Sequence, residues 1–285
     1  MNRLIYKTFR NTVPLLVSAV MAALPSLAQN GKVLVLNPPG SIYTTASGVN
    51  NSGVTVGAFE FAGQQLQGFA YLPATNQYKR MQYPGATYTI ALGVNDSNTV
   101  VGTFANADGA NHGFFWENGK YRQYDVDGSS GTTIIGVNQA GDFAGTVGSN
   151  GDYQGFVSIG GVVTTFTVNG LVTNAYAINS SDDTVGFFIN ESATAFHGFV
   201  RDSSGKTTQI DYPGSLSTSC TGINDKGVIT GFYEDANNND HGFILINGKF
   251  KTVGAPYVAG INNRGAVIGS FVNNNGRTYG FLRLP

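Results

Sequence analysis

One pattern recurs six times along the 285-residue chain, its units are bounded by turn residues, and its 39 glycines follow no collagen period. Together these observations predict an all-β protein, a six-bladed β-propeller with four antiparallel strands per blade. Each unit carries a short signature: Gly48-Val49-Asn50, Gly93-Val94-Asn95, Gly136-Val137-Asn138, Ala177-Ile178-Asn179, Gly222-Ile223-Asn224 and Gly260-Ile261-Asn262. Seven residues after each Asn stands a glycine: Gly57, Gly102, Gly145, Gly186, Gly231 and Gly269. Eleven to thirteen residues later comes the Phe of a Gly-Phe pair: Phe69, Phe114, Phe156, Phe199, Phe243 and Phe281. The asparagines lie 45, 43, 41, 45 and 38 residues apart, the length of a four-stranded unit.

Composition sets the outer bounds. A chain that is 41% hydrophobic and 12% charged has enough apolar surface to fold, unlike a disordered one. A net charge of -1 gives no basic excess, which argues against a nucleic-acid partner.

The first 28 residues read as a secretory signal peptide. Arg3, Lys7 and Arg10 form the positive region, Val13 to Leu24 is a short apolar run, and Ser26-Leu27-Ala28 offers the small-x-small cleavage pattern near Ala28. The run is too short to span a membrane. The sequence therefore predicts a secreted or periplasmic protein, without membrane insertion of the mature chain, forming a single domain over residues 29–285. Its only cysteine is Cys220, so no intrachain disulfide can form.

The second unit shows how the strands are read. Tyr88 to Asn95, Val100 to Phe104, Gly113 to Trp116 and Tyr121 to Val126 are short runs separated by turn residues. Asn at the first position and Gly at the fourth of Asn50-Asn51-Ser52-Gly53 suit a type I turn, which pairs the first two strands as a hairpin. Asn118-Gly119 joins the third strand to the fourth. The strands ending in the recurrent Asn are small and uncharged, as a crowded innermost position requires. The fourth strands carry Lys32, Lys79, Arg80, Lys120, Arg122, Lys206, Lys249 and Lys251, and lysine guards an exposed edge against pairing. They are expected outermost. Lys32 to Asn37 reads as a spare fourth strand, while the chain stops after a third, Gly280 to Leu284. The N-terminal strand is thus expected to complete the last blade and close the ring.

Four groups of residues invite a functional reading. His112, His197 and His241 all precede a Gly-Phe pair, but strands of three different blades hold them roughly 15 Å from the axis. Zinc nitrogens must lie about 2.0–2.1 Å from one ion, so no metal site and no catalytic residue is assigned, and no cofactor is expected. The recurrent asparagines could meet a ligand at one mouth of the channel or simply close their own turns. Asp235, Asn237 and Asn239 set oxygens at alternate positions, a weak calcium pattern lacking the following Gly and the distant Glu. Loops between second and third strands share one face with the outer-to-inner crossovers. That face gathers Asp108, Asn111, Asp235, Asn237, Asn239, Asp240, Tyr83 and Tyr212, the predicted ligand-binding residues, because rigid scaffolds commonly present their sites on loops.

The G-[IV]-N turn, the V-x-G strand and the His-x-Phe strand resemble the HAF repeats of extracellular bacterial proteins, over essentially the whole mature chain. The Ala of His-Ala-Phe is Gly here, in His112-Gly113-Phe114, His197-Gly198-Phe199 and His241-Gly242-Phe243. The resemblance implies export and a repeat fold, and it carries no activity. Uncharged inner strands favour a non-catalytic binding or scaffold module for a glycan, peptide or protein. The alternative is a hydrolase or lyase working at the central funnel.

Overall fold

The computed structural model describes residues 32–107, 109–149 and 152–285. Residues 1–28, read above as a signal peptide, lie outside them. Among the described residues the protein is all-β.

After β1 (Val33–Leu36), strands follow in fours. The first group is β2 (Tyr43–Val49), β3 (Thr55–Glu60), β4 (Gln67–Leu72) and β5 (Gln77–Met81); the second is β6 (Tyr88–Val94), β7 (Val100–Ala105), β8 (Asn111–Glu117) and β9 (Lys120–Tyr124). The third comprises β10 (Thr132–Val137), β11 (Phe143–Ser149), β12 (Asp152–Ile159) and β13 (Val162–Phe166). The fourth comprises β14 (Thr173–Ile178), β15 (Thr184–Ile189), β16 (Phe196–Arg201) and β17 (Thr207–Ile210). The fifth holds β18 (Ser217–Ile223), β19 (Ile229–Glu234), β20 (Asp240–Ile246) and β21 (Lys249–Val253), and three strands end the chain, β22 (Tyr257–Ile261), β23 (Val267–Val272) and β24 (Thr278–Arg283).

The second to fifth groups are separate four-stranded antiparallel sheets, with strands in chain order. The remaining strands share one sheet, in which β1 pairs antiparallel with β24 from Val33↔Arg283 to Leu36↔Gly280. One parallel pairing, Tyr43↔Thr278, joins β2 to β24. The first strands of successive groups pack on one another, and β22 packs on β2. Fourth strands lie at the sheet edges, as their lysines predicted.

The first turn explains its own sequence. Gly53 N–H donates to Asn50 O at 3.0 Å, and the fourth turn residue takes a left-handed backbone, with φ of 80° at Gly53, 92° at Gly141 and 61° at Asn98. Glycine and asparagine tolerate that region at least cost. Third strands start earlier than the sequence suggested, since Ala105↔Asn111 extends the pairing past Gly113.

The six Gly-Phe phenylalanines are fully buried at 0% exposure, filling the wedges between sheets with T-shaped ring contacts such as Phe114–Tyr121. A repeated threonine escaped the sequence reading. Six residues before the Asn, the hydroxyls of Thr89, Thr132, Thr173 and Thr218 accept the N–H of Tyr83, Val126, Val168 and Tyr212 at 2.9–3.0 Å. Each threonine ties an incoming crossover to the strand it feeds.

Candidate functional site

The two faces are built differently. On the turn face each recurrent Asn uses both ends of its amide. Its Oδ1 accepts backbone N–H groups from its own turn, as Asn50 does from Ser52 and Val54, both at 3.0 Å. Its Nδ2 donates to the main-chain carbonyl of the next Asn: Asn50 to Asn95, Asn95 to Asn138, Asn138 to Asn179, Asn179 to Asn224, Asn224 to Asn262, and Asn262 back to Asn50. These six bonds, 2.8–3.4 Å long, form a closed cycle. Each side chain therefore closes its own turn, one of the two sequence readings, and also ties that turn to the next.

A second layer surrounds the first. The N–H groups of Asn51, Asp96, Ser180, Asp225 and Asn263 donate to the side chains of Asp96, Gln139, Asp225, Asn263 and Asn51 in the neighbouring turn. The two layers line a polar depression. Its amides are spent on each other, which makes this face a lock. Asn138 is 5% exposed and also donates to Asp182 Oδ1 at 3.0 Å. Asn138→Asp keeps the size but replaces both donations by repulsion against a carbonyl and a carboxylate. The expected loss is about 2–4 kcal/mol of unfolding free energy at pH 7, read from denaturant melts.

On the loop face, the histidines are engaged separately. His112 Nδ1 lies 3.0 Å from Asp125 Oδ2, and Gln123 Nε2 contacts both. His197, Gln209 and Asp211 repeat this arrangement. His241 differs, with Nε2 2.9 Å from Asp235 Oδ2. The reason is readable: Gln-x-Asp stands at 123–125 and 209–211, but Thr252 and Gly254 replace it in the fifth group. That Gln-x-Asp signal was present in the sequence and missed. Among the described residues no three His, Cys, Asp or Glu side chains gather to hold a metal.

The loop residues predicted to bind are placed as follows. Asp108 lies outside the described residues. Asn111 opens β8 and accepts a hydrogen bond from the Tyr88 hydroxyl. Asp235 Oδ1 accepts the N–H groups of Asn237 and Asn239 at 2.8 and 2.9 Å, and these bonds with His241 hold its carboxyl below the usual range. The oxygens of the weak calcium pattern thus include a carboxylate committed to its own loop. Asn239 Nδ2 also donates to Asp235, whereas Asn237 is exposed.

The two tyrosines stack on neighbouring rings. Tyr83 stacks on Phe104 with centroids 3.6 Å apart, and Tyr212 stacks on Tyr233 at the same distance. The stacks continue to His112 and His241, both tyrosines are half-buried, and the Tyr212 hydroxyl lies 3.0 Å from that of Thr252.

Asp240 opens β20 opposite Glu234. Burial first, then the Glu234 charge, raises its pKa to about 6 from the ordinary 3.8. A carboxyl raised on folding binds its proton more tightly in the native state, so its stabilising contribution is full below pH 3.8 and is lost as pH rises through about 6. Asp240→Asn is expected to remove that loss and stabilise the protein at pH 7 by about 1–2 kcal/mol, discounted for partial exposure. Melts of both proteins at pH 4 and pH 7 check it.

No protein-family model and no curated protein matches the chain. Solved structures do. A protein assigned as TolB from Agrobacterium tumefaciens aligns with a TM-score of 0.58 at 11% identity, covering 85% of this chain and 90% of its own. A gluconolactonase from Xanthomonas campestris aligns at 0.54 and 10% identity, covering 93% of each chain. The Aleuria aurantia lectin, solved with Fucα1-6GlcNAc, aligns at 0.52 and 11% identity, covering 86% of this chain and 93% of its own. These are β-propellers, and at such identities the likeness shows the fold alone: this chain is a β-propeller.

Proposed function

We propose that the chain is an exported, non-catalytic binding propeller of six blades, which recognises a glycan, peptide or protein through its loop face. Six blades are supported by the cyclic asparagine bonds and by the packing of the first strands into a cycle. The shared sheet is then two blades, one completed by β1 and β24 pairing. Export rests on the signal-like residues 1–28 and on the resemblance to HAF-repeat proteins.

The observation that carries the binding reading is the placement of ionisable groups. Each imidazole is taken by its own carboxylate in a separate blade. The inner strands contribute no charged side chain to the channel, where a hydrolase or lyase would need an acid or base within hydrogen-bond reach of its substrate. The carboxylates at the channel's turn-face mouth, Asp96 and Asp225, accept N–H groups of the neighbouring turns. The Asx-closed loops are meanwhile fixed before any ligand arrives, which lowers the ordering cost of binding. A fold that hosts lactonases and lectins alike does not separate these activities.

The test is a glycan array and a pull-down with the chain from Gln29 onward, with and without EDTA, repeated with Asn237→Ala plus Asn239→Ala and with a turn-face variant, Gln139→Ala. Loss of binding in the loop variant alone supports the reading. Loss in the turn-face variant alone, or turnover of a glycan or lactone by the parent, overturns it.

A further inference from the structure

Five of the six outer strands carry or directly follow a basic residue: Lys32 before β1, Lys79 and Arg80 in β5, Lys120 and Arg122 in β9, Lys206 before β17, and Lys249 and Lys251 in β21. The sixth, β13, reads Val-Val-Thr-Thr-Phe, and residues 153–181 contain no Asp, Glu, Lys, Arg or His. Val162 is 70% exposed, the most of any large hydrophobic residue described. An outer strand without charge, proline or bulge is a template for another strand.

We propose that β13 is a self-association edge, which pairs antiparallel with β13 of a second copy of this chain about a two-fold axis. The unpaired main-chain groups can be assigned. Gly160 and Gly161, with φ of 56° and 82°, form the two-residue turn closing β12 and β13 at Ile159↔Val162. Such a turn makes its closing pair hydrogen-bonded. Val162, Thr164 and Phe166 therefore bond inward to β12, while Val163 and Thr165 present N–H and C=O outward, with no protein partner among the described residues. Two copies related by a two-fold through Thr164 place Val163 opposite Thr165 of the second copy, so that both outward pairs exchange hydrogen bonds.

The side chains favour this occupant. The symmetric register faces Thr164 with Thr164 and Val162 with Phe166, combinations of β-branched and aromatic residues that stabilise cross-strand contacts. A second copy brings the same uncharged strand, and the register sets no charged strand residue opposite another, the nearby Arg201 guanidinium being held over the Phe166 ring at the strand's end. The same patch on both subunits gives a closed dimer with no free β13 left to extend a fibre. A pairing of five residues a side is smaller than a standard interface of about 1,600 Å², so the dimer is expected to be weak and concentration-dependent.

Sedimentation velocity over a wide concentration range tests this, together with cysteine variants. The parent is expected to shift from monomer to dimer. Thr164→Lys sets two like charges face to face and is expected to stay monomeric at every concentration with an unchanged melting temperature. At a non-hydrogen-bonded pair the Cα atoms lie about 4.5 Å apart, within disulfide reach. Thr164→Cys is therefore expected to form a covalent dimer under mild oxidation, faster than Lys251→Cys on the guarded edge of β21. Cys220 is buried and does not interfere. A parent that remains monomeric throughout, or equal cross-linking by the two cysteine variants, overturns the proposal.

Discussion

Gly102→Ala is expected to lower the melting temperature by about 8 °C or more, from a cost above ~4 kcal/mol. A β-carbon at Gly102 would stand 2.0 Å from the carbonyl oxygen of Ile90 and 2.8 Å from the Phe114 ring. The same clash awaits the other members of the repeat, 1.9–2.1 Å from a carbonyl at Gly57, Gly145, Gly186, Gly231 and Gly269. The cause lies in the inner strand, whose register shifts between Ala91 and Gly93. Such a bulge bends the strand, here with the Ile90 carbonyl close over the glycine. Neither a strand carbonyl nor a fully buried ring can move aside cheaply. Gly260→Ala is the matched control, because its nearest neighbours would lie 3.6 Å away, in ordinary contact. A loss below about 1 kcal/mol is expected there. Thermal melts of the two variants against the parent decide the matter.

Much of this was legible because the repeat samples one local geometry six times. An Asn followed by Gly seven residues later marks a turn, a bulge and a close approach, all within one hairpin. Edge lysines and the order of strands were readable for the same reason. What depends on neighbouring units was not. The Nδ2 donations around the asparagine cycle join residues 38 to 212 positions apart, and no spacing within a unit reveals them. The direction of the Tyr83 and Tyr212 rings depends on Phe104 and Tyr233, one crossover and one strand away. Both tyrosines were expected on the loop face, and the partners they stack on there could not be read from the spacing. His241 bonds to Asp235 only because Gly254 supplies no carboxylate where Asp125 and Asp211 do, a comparison that requires the aligned blades.

The proposed ring closes through its N-terminal strand, and removal of β1 tests that closure. Leu36 is 1% exposed and packs with Phe69, Ile268 and Leu282, while β1 covers the edge of β24 over four register pairs. Without it, β24 keeps its pairing with β23 but its other edge is left open over those four register pairs, and the wedge between the first and last units loses an apolar wall. Burial of one Leu contributes about 2–5 kcal/mol, and lost strand pairing adds to it. The measurement is the melting temperature of a chain beginning at Ser41 against one beginning at Gln29. The shorter chain is expected to melt about 10 °C lower or more, or to fail to fold. Equal melting temperatures for the two chains would contradict a ring closed by the N-terminal strand.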